Sequence, residues 1–190
     1  MTARDPWHPQ ATGVLLALPD LAGFTSPWRS TSYAPDQATL SIERRFPPHI
    51  TVLAPFAQAT DIAAMARLRA VAARHPPLHL RFRRVSQFGP GGAVWLVPEP
   101  HEPVLALLTD VVDAFPEHPP YGGVHPFPVP HLTVTTDSDA TTLTQVQAAL
   151  DAQGDLTSSV SEIGVWQRGP DEVWALVAAA PLGGEDRLSG

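Results

Sequence analysis

The phrase Pro48-His49-Ile50-Thr51-Val52 returns 82 residues later as Pro130-His131-Leu132-Thr133-Val134. Side chains alternate with period two along a strand, so His and Thr share one face and the aliphatic residue between them takes the other. Each copy therefore presents an imidazole and a hydroxyl side by side on a rigid support. Two such pairs across one cleft supply an acid, a base and two hydrogen-bond donors. Phosphodiester displacement without a metal needs that set.

Composition removes several rival chemistries. The 190 residues include no Cys, so there is no thiolate nucleophile, thiolate metal site or disulfide framework. All twelve basic residues are Arg, which excludes a Schiff-base lysine, a P-loop lysine and a covalent lysine–nucleotide intermediate. His8, His75, His79, His101 and His118 show no ligand spacing, so neither metal nor other cofactor is expected. No apolar run approaches the roughly 18 residues that cross a bilayer. Met1 to Gln10 lacks the basic start and apolar stretch of a signal peptide, which makes a cytoplasmic location the default expectation.

The net charge of -7 argues against broad nucleic-acid binding, but the charge is unevenly placed. Residues 29–84 hold nine Arg against Asp36, Glu43 and Asp61; residues 85–190 hold two Arg against fourteen acids. Such asymmetry can mark the side of a molecule that meets an anionic ligand, here the half that carries His49. Solvated helix and strand faces would leave the same pattern, Arg67, Arg69 and Arg74 in particular.

A length of 190 residues fits one domain. Thr12–Leu18 reads as a buried strand, and 19–48 as a Pro, Ser and Thr-rich stretch with a short helix around Asp36–Arg45. A strand at His49–Ala54 leads to a helix over Asp61–Arg74, an alternating strand over Leu78–Phe88, the turn Gly89-Pro90-Gly91-Gly92 and a return strand over Ala93–Val97. A helix over Glu102–Phe115 and a Pro-rich loop follow. The second half then reads as a strand at His131–Thr136, a helix capped by Asp139 and closed by Gly154, and strands over Leu156–Trp166 and Val173–Ala179. Val94-Trp95 and Val173-Trp174 lie on the two return strands, 79 residues apart. This predicts a duplicated strand–helix–hairpin unit. Its pseudo-symmetric lobes would span roughly 49–98 and 131–180, with strand 12–18 added, and the two His-x-Thr strands would meet near the axis.

An unperturbed imidazole titrates near pH 6.5, so a pair holds one base and one acid at neutral pH. One His takes the proton of the attacking oxygen and the other protonates the leaving oxygen. Opening of a 2′,3′-cyclic phosphate and formation of a 2′-5′ linkage from a cyclic phosphate and a 5′-hydroxyl use the same groups, and the roles swap when the reaction runs backwards.

The paired phrases resemble the signature of the 2H phosphoesterase superfamily, in particular its bacterial 2′-5′ RNA ligase-like branch. Pro47–Phe56, the Val85–Val97 hairpin, Tyr121-Gly122-Gly123 and Val165-Trp166-Gln167-Arg168 are similar to segments of that branch, and the likeness covers roughly residues 12–182. It implies an α+β bilobal fold with two antiparallel sheets around a central cleft. It implies His49 and His131 as acid and base, and Thr51 and Thr133 as phosphate binders. RNA ends or small cyclic nucleotides are the implied partners, turned over without metal or ATP, by a chain read as monomeric. The net acidity favours a small cyclic phosphate over a long RNA. A non-catalytic module binding nucleotides or RNA ends on the same fold stands as the alternative.

Further substrate-binding candidates are Arg168, placed to reach a phosphate, and Tyr33 and Phe56, placed to stack a base. Core or rim packing is the competing role for both aromatics. His125, six residues before His131, reads as a surface residue, with support of the site as the other reading.

Overall fold

The computed structural model describes residues 11–28, 46–125, 127–136, 138–170 and 173–183. Tyr33 and the helix expected around Asp36–Arg45 lie outside them. Among the described residues there are eight strands: β1 (Thr12–Ala17), β2 (His49–Leu53), β3 (Leu78–Gln87), β4 (Val94–Glu99), β5 (Leu132–Thr135), β6 (Leu156–Val160), β7 (Glu162–Arg168) and β8 (Trp174–Pro181). The helices are a single turn α1 (Ala22–Thr25), α2 (Ile62–Ala72), α3 (His101–Ala114) and α4 (Thr142–Gln153).

All strand pairs are antiparallel, in the order β6-β3-β4-β5-β2-β1-β7-β8. The sheet has two four-stranded halves, β6-β3-β4-β5 and β2-β1-β7-β8, joined where Ile50 pairs with Leu132. Both expected antiparallel sheets are therefore present, continuous through one narrow junction. Ser161 alone separates β6 from β7, yet β6 lies at one end of the order and β7 near the other. The sheet must therefore curl until its ends approach. The alternation in sequence predicts one strand from Leu156 to Trp166; the break at Ser161 instead carries the chain from one half to the other.

That crossing changes the expected lobes. The β3–β4 hairpin follows β2 in sequence but pairs through β4 with β5, the strand beside His131. The β7–β8 hairpin follows β5 but pairs through β7 with β1, in the half of His49. Each hairpin thus sits with the other unit's His-x-Thr strand. The two are not in equivalent places either, since β1 intervenes between β2 and β7 while β4 touches β5 directly.

One face of the sheet is covered by helices. Val14, Leu16, Ile50, Val52, Leu80, Phe82, Leu96, Leu132, Val134 and Val165 point into a core shared with Val104, Leu107, Leu108 and Val111 of α3, Leu68 of α2 and Val146 and Leu150 of α4. On β3, Leu78, Leu80 and Phe82 are buried while His79, Arg81 and Arg83 are exposed, so alternation assigns the second face to polar groups. The aliphatic residue of each His-x-Thr phrase belongs to the helix-covered face, and that leaves the His and Thr on the open one.

Local signals set the helix ends. Asp61 caps α2 by accepting the Ala64 N–H at 3.0 Å. At α4, Asp139 stands two residues before the Thr141 cap, and its Oδ1 accepts the N–H groups of Thr141 and Thr142 at 2.9 Å each as well as both hydroxyls. These bonds, led by the Thr142 hydroxyl, hold the Asp139 carboxyl down to about 2. Gly154 ends the helix at φ 82°, a conformation glycine adopts without steric cost.

A folded-state value below the unfolded one means that Asp139 stabilises the fold above about pH 4, and that this is lost as the pH falls toward 2. Asp139→Ala should lower the melting temperature at pH 7, and the difference from the parent should shrink progressively below pH 4. Thermal melts across that range check it; a pH-independent difference would contradict the cap.

Candidate functional site

Continuing the Ile50–Leu132 register by one residue each way sets His49 opposite Thr133 and Thr51 opposite His131. Directly opposed residues have Cβ atoms about 4.5–5.5 Å apart. The register therefore brings the four motif residues together at neighbouring positions on the open face of the sheet. Ala17 and Leu15 of β1 flank His49 and Thr51, and Trp95 of β4 flanks Thr133.

The two imidazoles are held alike. Nδ1–H of His49 donates to the Pro47 carbonyl at 2.8 Å, and Nδ1–H of His131 donates to the Val129 carbonyl at 2.6 Å. In both copies the acceptor precedes the motif proline, whose ring fixes φ at that step. A carbonyl only accepts, so Nδ1 carries a proton in each ring and Nε2 is the titrating nitrogen. The prolines thus do more than start a strand: they frame the carbonyl that orients each ring.

Aromatic walls complete the surroundings. The His49 ring lies 4.4 Å from Phe46, which stacks on Trp174 at 4.7 Å and meets the edge of Trp166 at 5.7 Å. The His131 ring meets Phe88 at 4.9 Å and Trp95 at 5.9 Å, and these two stack at 5.1 Å. Gly164 allows the wall beside His49 to close, since a Cβ there would stand 2.6 Å from Nε1 of Trp166. Burial among these rings pushes His131 below the ordinary histidine value; the Val129 bond opposes the shift, and the positive field of His125 adds to it.

Tyr121 also enters the site. Burial pushes its phenol above the ordinary tyrosine value, against a smaller opposing effect of Thr51, so it is a neutral hydroxyl at physiological pH. Its ring meets His125 edge-on at 5.4 Å. His125 is exposed, as the surface reading expected, and is also close enough to act on His131. Phe46, Phe88 and Tyr121 were not singled out from sequence as site residues. The signal for Tyr121 was available in its place before two glycines in a Pro-rich loop; that for Phe46 and Phe88 was not, because their contacts cross the sheet.

Other candidates fall elsewhere. Phe56 is 5 % exposed and packs edge-on against Phe115 at 4.9 Å, with His118 beside it, so it is a core residue and not a stacking surface. Arg168 ends β7 with its N–H on the Ala11 carbonyl. Ala11 is four residues along from Leu15, the partner of Thr51, about 13 Å of strand. Arg168 is thus on the rim and outside the four motif positions. Of the Arg excess of residues 29–84, Arg29, Arg44 and Arg45 lie outside the described residues, and five of the others stand beside carboxylates. Arg67 pairs with Glu117, Arg74 with Asp110, Arg81 and Arg83 with Asp155, and Arg84 with Glu99. Three of these Arg are on β3, in the His131 half, so the sequence asymmetry does not assign an anionic ligand to the His49 side. Among the described residues no group of three His, Asp or Glu side chains is arranged to hold a metal, and no helix is long and apolar enough to cross a membrane.

A curled antiparallel sheet with helices on one face and two His-x-Thr phrases meeting on the other is the architecture of the 2H phosphoesterases. The chain belongs to the 2′-5′ RNA ligase superfamily, whose model matches residues 18–172. Its fold is similar to that of Escherichia coli LigT complexed with ATP, at TM-score 0.56 and 16% identity over 92% of this chain and 99% of that one. LigT complexed with NADP+ gives TM-score 0.58 at 17% identity, over 92% and 98%. TT0787 of Thermus thermophilus gives 0.56 at 16%, over 92% and 99%. No curated protein sequence matches the chain. Membership supports a phosphoesterase or ligase type of function.

In the neutral state both His49 and His131 should be Nδ1–H tautomers, and His131 should titrate below about pH 6.5. Long-range ¹⁵N–¹H spectra over a pH series check both. An Nε2–H tautomer at either position would contradict the geometry.

Proposed function

We propose that this chain is a metal- and ATP-independent phosphoesterase of RNA ends or nucleotides. It opens 2′,3′-cyclic phosphates, and forms or cleaves 2′-5′ linkages, by two-histidine acid–base catalysis. The register that opposes His49 to Thr133 and Thr51 to His131 carries this reading. It gives one phosphorus centre an imidazole on each side and two hydroxyl donors for its non-bridging oxygens. LigT structures complexed with ATP, 3′-AMP and NADP+ support a nucleotide as the substrate class.

The depressed titration of His131 supports reading it as the base in hydrolysis, with His49 as the acid. Its Nε2 takes a proton from the attacking water as the water oxygen bonds to phosphorus. The bond from phosphorus to one ribose oxygen breaks, and His49 Nε2–H protonates that oxygen. In joining, a 5′-hydroxyl takes the place of the water: its oxygen bonds to phosphorus as its proton goes to His131, and His49 protonates the ribose oxygen that leaves; cleavage of the 2′-5′ linkage runs this backwards with the two rings exchanging roles. The Nδ1–H bonds to Pro47 and Val129 keep both Nε2 atoms on the reacting side.

A panel of 2′,3′-cyclic mononucleotides, 2′-5′ dinucleotides and cut tRNA halves, with and without chelator, tests the reading. Turnover should survive chelation. His49→Ala and His131→Ala should each lower kcat by about 10²–10⁴-fold. A base must be deprotonated to act, so the acid limb of kcat/KM should fall below about pH 6.5. His125→Asn removes a charge that lowers His131 and should move that limb to higher pH. Turnover unaffected by either His variant would overturn the proposal; binding without turnover would favour the non-catalytic module.

A further inference from the structure

Both imidazoles have an aromatic wall, and the two walls differ in what they leave open. Phe46 beside His49 is 3 % exposed and Trp174 behind it 9 %, so that wall is closed. Phe88 beside His131 is 42 % exposed, although its ring stacks on a buried Trp95. Trp95 stands opposite Thr133 on one side and Ser86 on the other, so alternation puts Trp95 and Phe88 on the open face with the His131 phrase. The turn that carries Phe88 is gripped beside it. Gln87 Nε2 donates to the Gly92 carbonyl at 3.2 Å and to the Ser138 hydroxyl at 3.1 Å, and Ser138 Oγ donates to the same carbonyl at 2.7 Å. The Phe88 N–H donates to the Ala93 carbonyl at 3.1 Å. A Cβ at Gly92 would stand 1.7 Å from the Phe88 carbonyl oxygen, so only glycine lets the turn close this tightly. A hairpin tip tied at these points has little freedom left to lose when a ligand settles on it.

A flat apolar ring, fixed and half open beside an acid–base residue, suits another flat ring. Stacking asks only for a π-face, and every nucleobase has one. In the mechanism proposed above, the oxygen that His131 meets belongs to water or to a 5′-hydroxyl. We propose that Phe88 is the stacking platform for the base of the nucleoside that brings this 5′-hydroxyl. The proposal rests on the phosphoesterase reading and narrows it. A nucleoside held at Phe88 makes the substrate a 2′-5′ linkage, or the pair of ends that forms one. A cyclic mononucleotide leaves the platform empty and admits only water at His131. Among the described residues the wall at His49 offers no comparably open ring, so the two sides of the phosphate are read unequally.

Calorimetric binding of two matched pairs of inert probes tests this. 5′-AMP and ribose 5-phosphate differ only in the base, as do 2′-AMP and ribose 2-phosphate. The parent should bind 5′-AMP about 10-fold or more tighter than ribose 5-phosphate, with a smaller difference in the 2′ pair. Phe88→Leu removes the π-face at an exposed position and should bring the 5′ pair to within about twofold; Phe88→Tyr should restore the difference. Equal binding of the 5′ pair by the parent, a difference that survives Phe88→Leu, or one confined to the 2′ pair would overturn the platform. Turnover separates this result from the wider reading. If His49→Ala and His131→Ala abolish turnover while the base difference survives Phe88→Leu, the platform fails and the phosphoesterase stands. If neither cyclic phosphates nor 2′-5′ dinucleotides are turned over while the base difference depends on Phe88, the phosphoesterase reading fails and the platform stands in a binding module.

Discussion

The pairing of Ile50 with Leu132 is the constraint on which the rest depends. Both side chains are fully buried beneath the helices, and they form the residue pair that ties β2 to β5. A slip of one residue would send both aliphatic chains to the open face and the imidazoles into the core. That exchange would bury polar rings without partners and expose two large apolar groups, so packing under the helices enforces the register. The same register places each His opposite the other phrase's Thr. Core packing on one side of the sheet thereby sets the geometry on the other, and no contact between the imidazoles is needed to align them.

Much of this was legible in the chain. The His-x-Thr phrases, the alternation in Leu78–Phe82, and the Asp61 and Gly154 helix signals all rest on period and capping, which are local. The elements they predict are present within a few residues. What was not legible depends on pairing between distant segments. The Val-Trp spacing suggested that each hairpin stays with its own His-x-Thr strand, because sequence proximity was the only guide. The one-residue break at Ser161 sends β7 to the far half instead, and the bulges in β1, β3, β4 and β7 adjust the pairing after that. Phe56 shows the same limit. Its place after the motif suggested a rim, but β2 ends before it and the ring turns into the core against Phe115.

The exchange of hairpins gives each imidazole its wall. Trp95 lies upstream of the Pro-rich loop yet packs beside His131, and Trp174, late in the chain, stacks on the Phe46 that touches His49. Each ring is thus supported by residues far away in sequence, and neither phrase makes its site alone. Such walls desolvate the rings, and desolvation disfavours the charged imidazole. At His131 this effect exceeds the opposing bond to the Val129 carbonyl. In the proposed mechanism that bias keeps the base unprotonated near neutrality, and the Nδ1–H bond to Val129 fixes its tautomer.

The charge pattern bears on the size of the ligand. Five of the Arg in residues 67–84 stand beside carboxylates of the acid-rich second half, so that part of the sequence asymmetry is offset where the two halves fold together. An exposed pair is worth little to stability, but it does quench the field of both partners. Among the described residues the groups that the two phrases bring to the open face are short-range: two hydroxyls and two imidazoles. Hydrogen bonds of this kind recognise one phosphate group closely and gain nothing from further phosphates along a chain. On the function proposed above, such groups suit a terminal or cyclic phosphate, and specificity would then come from the aromatic walls beside the two imidazoles.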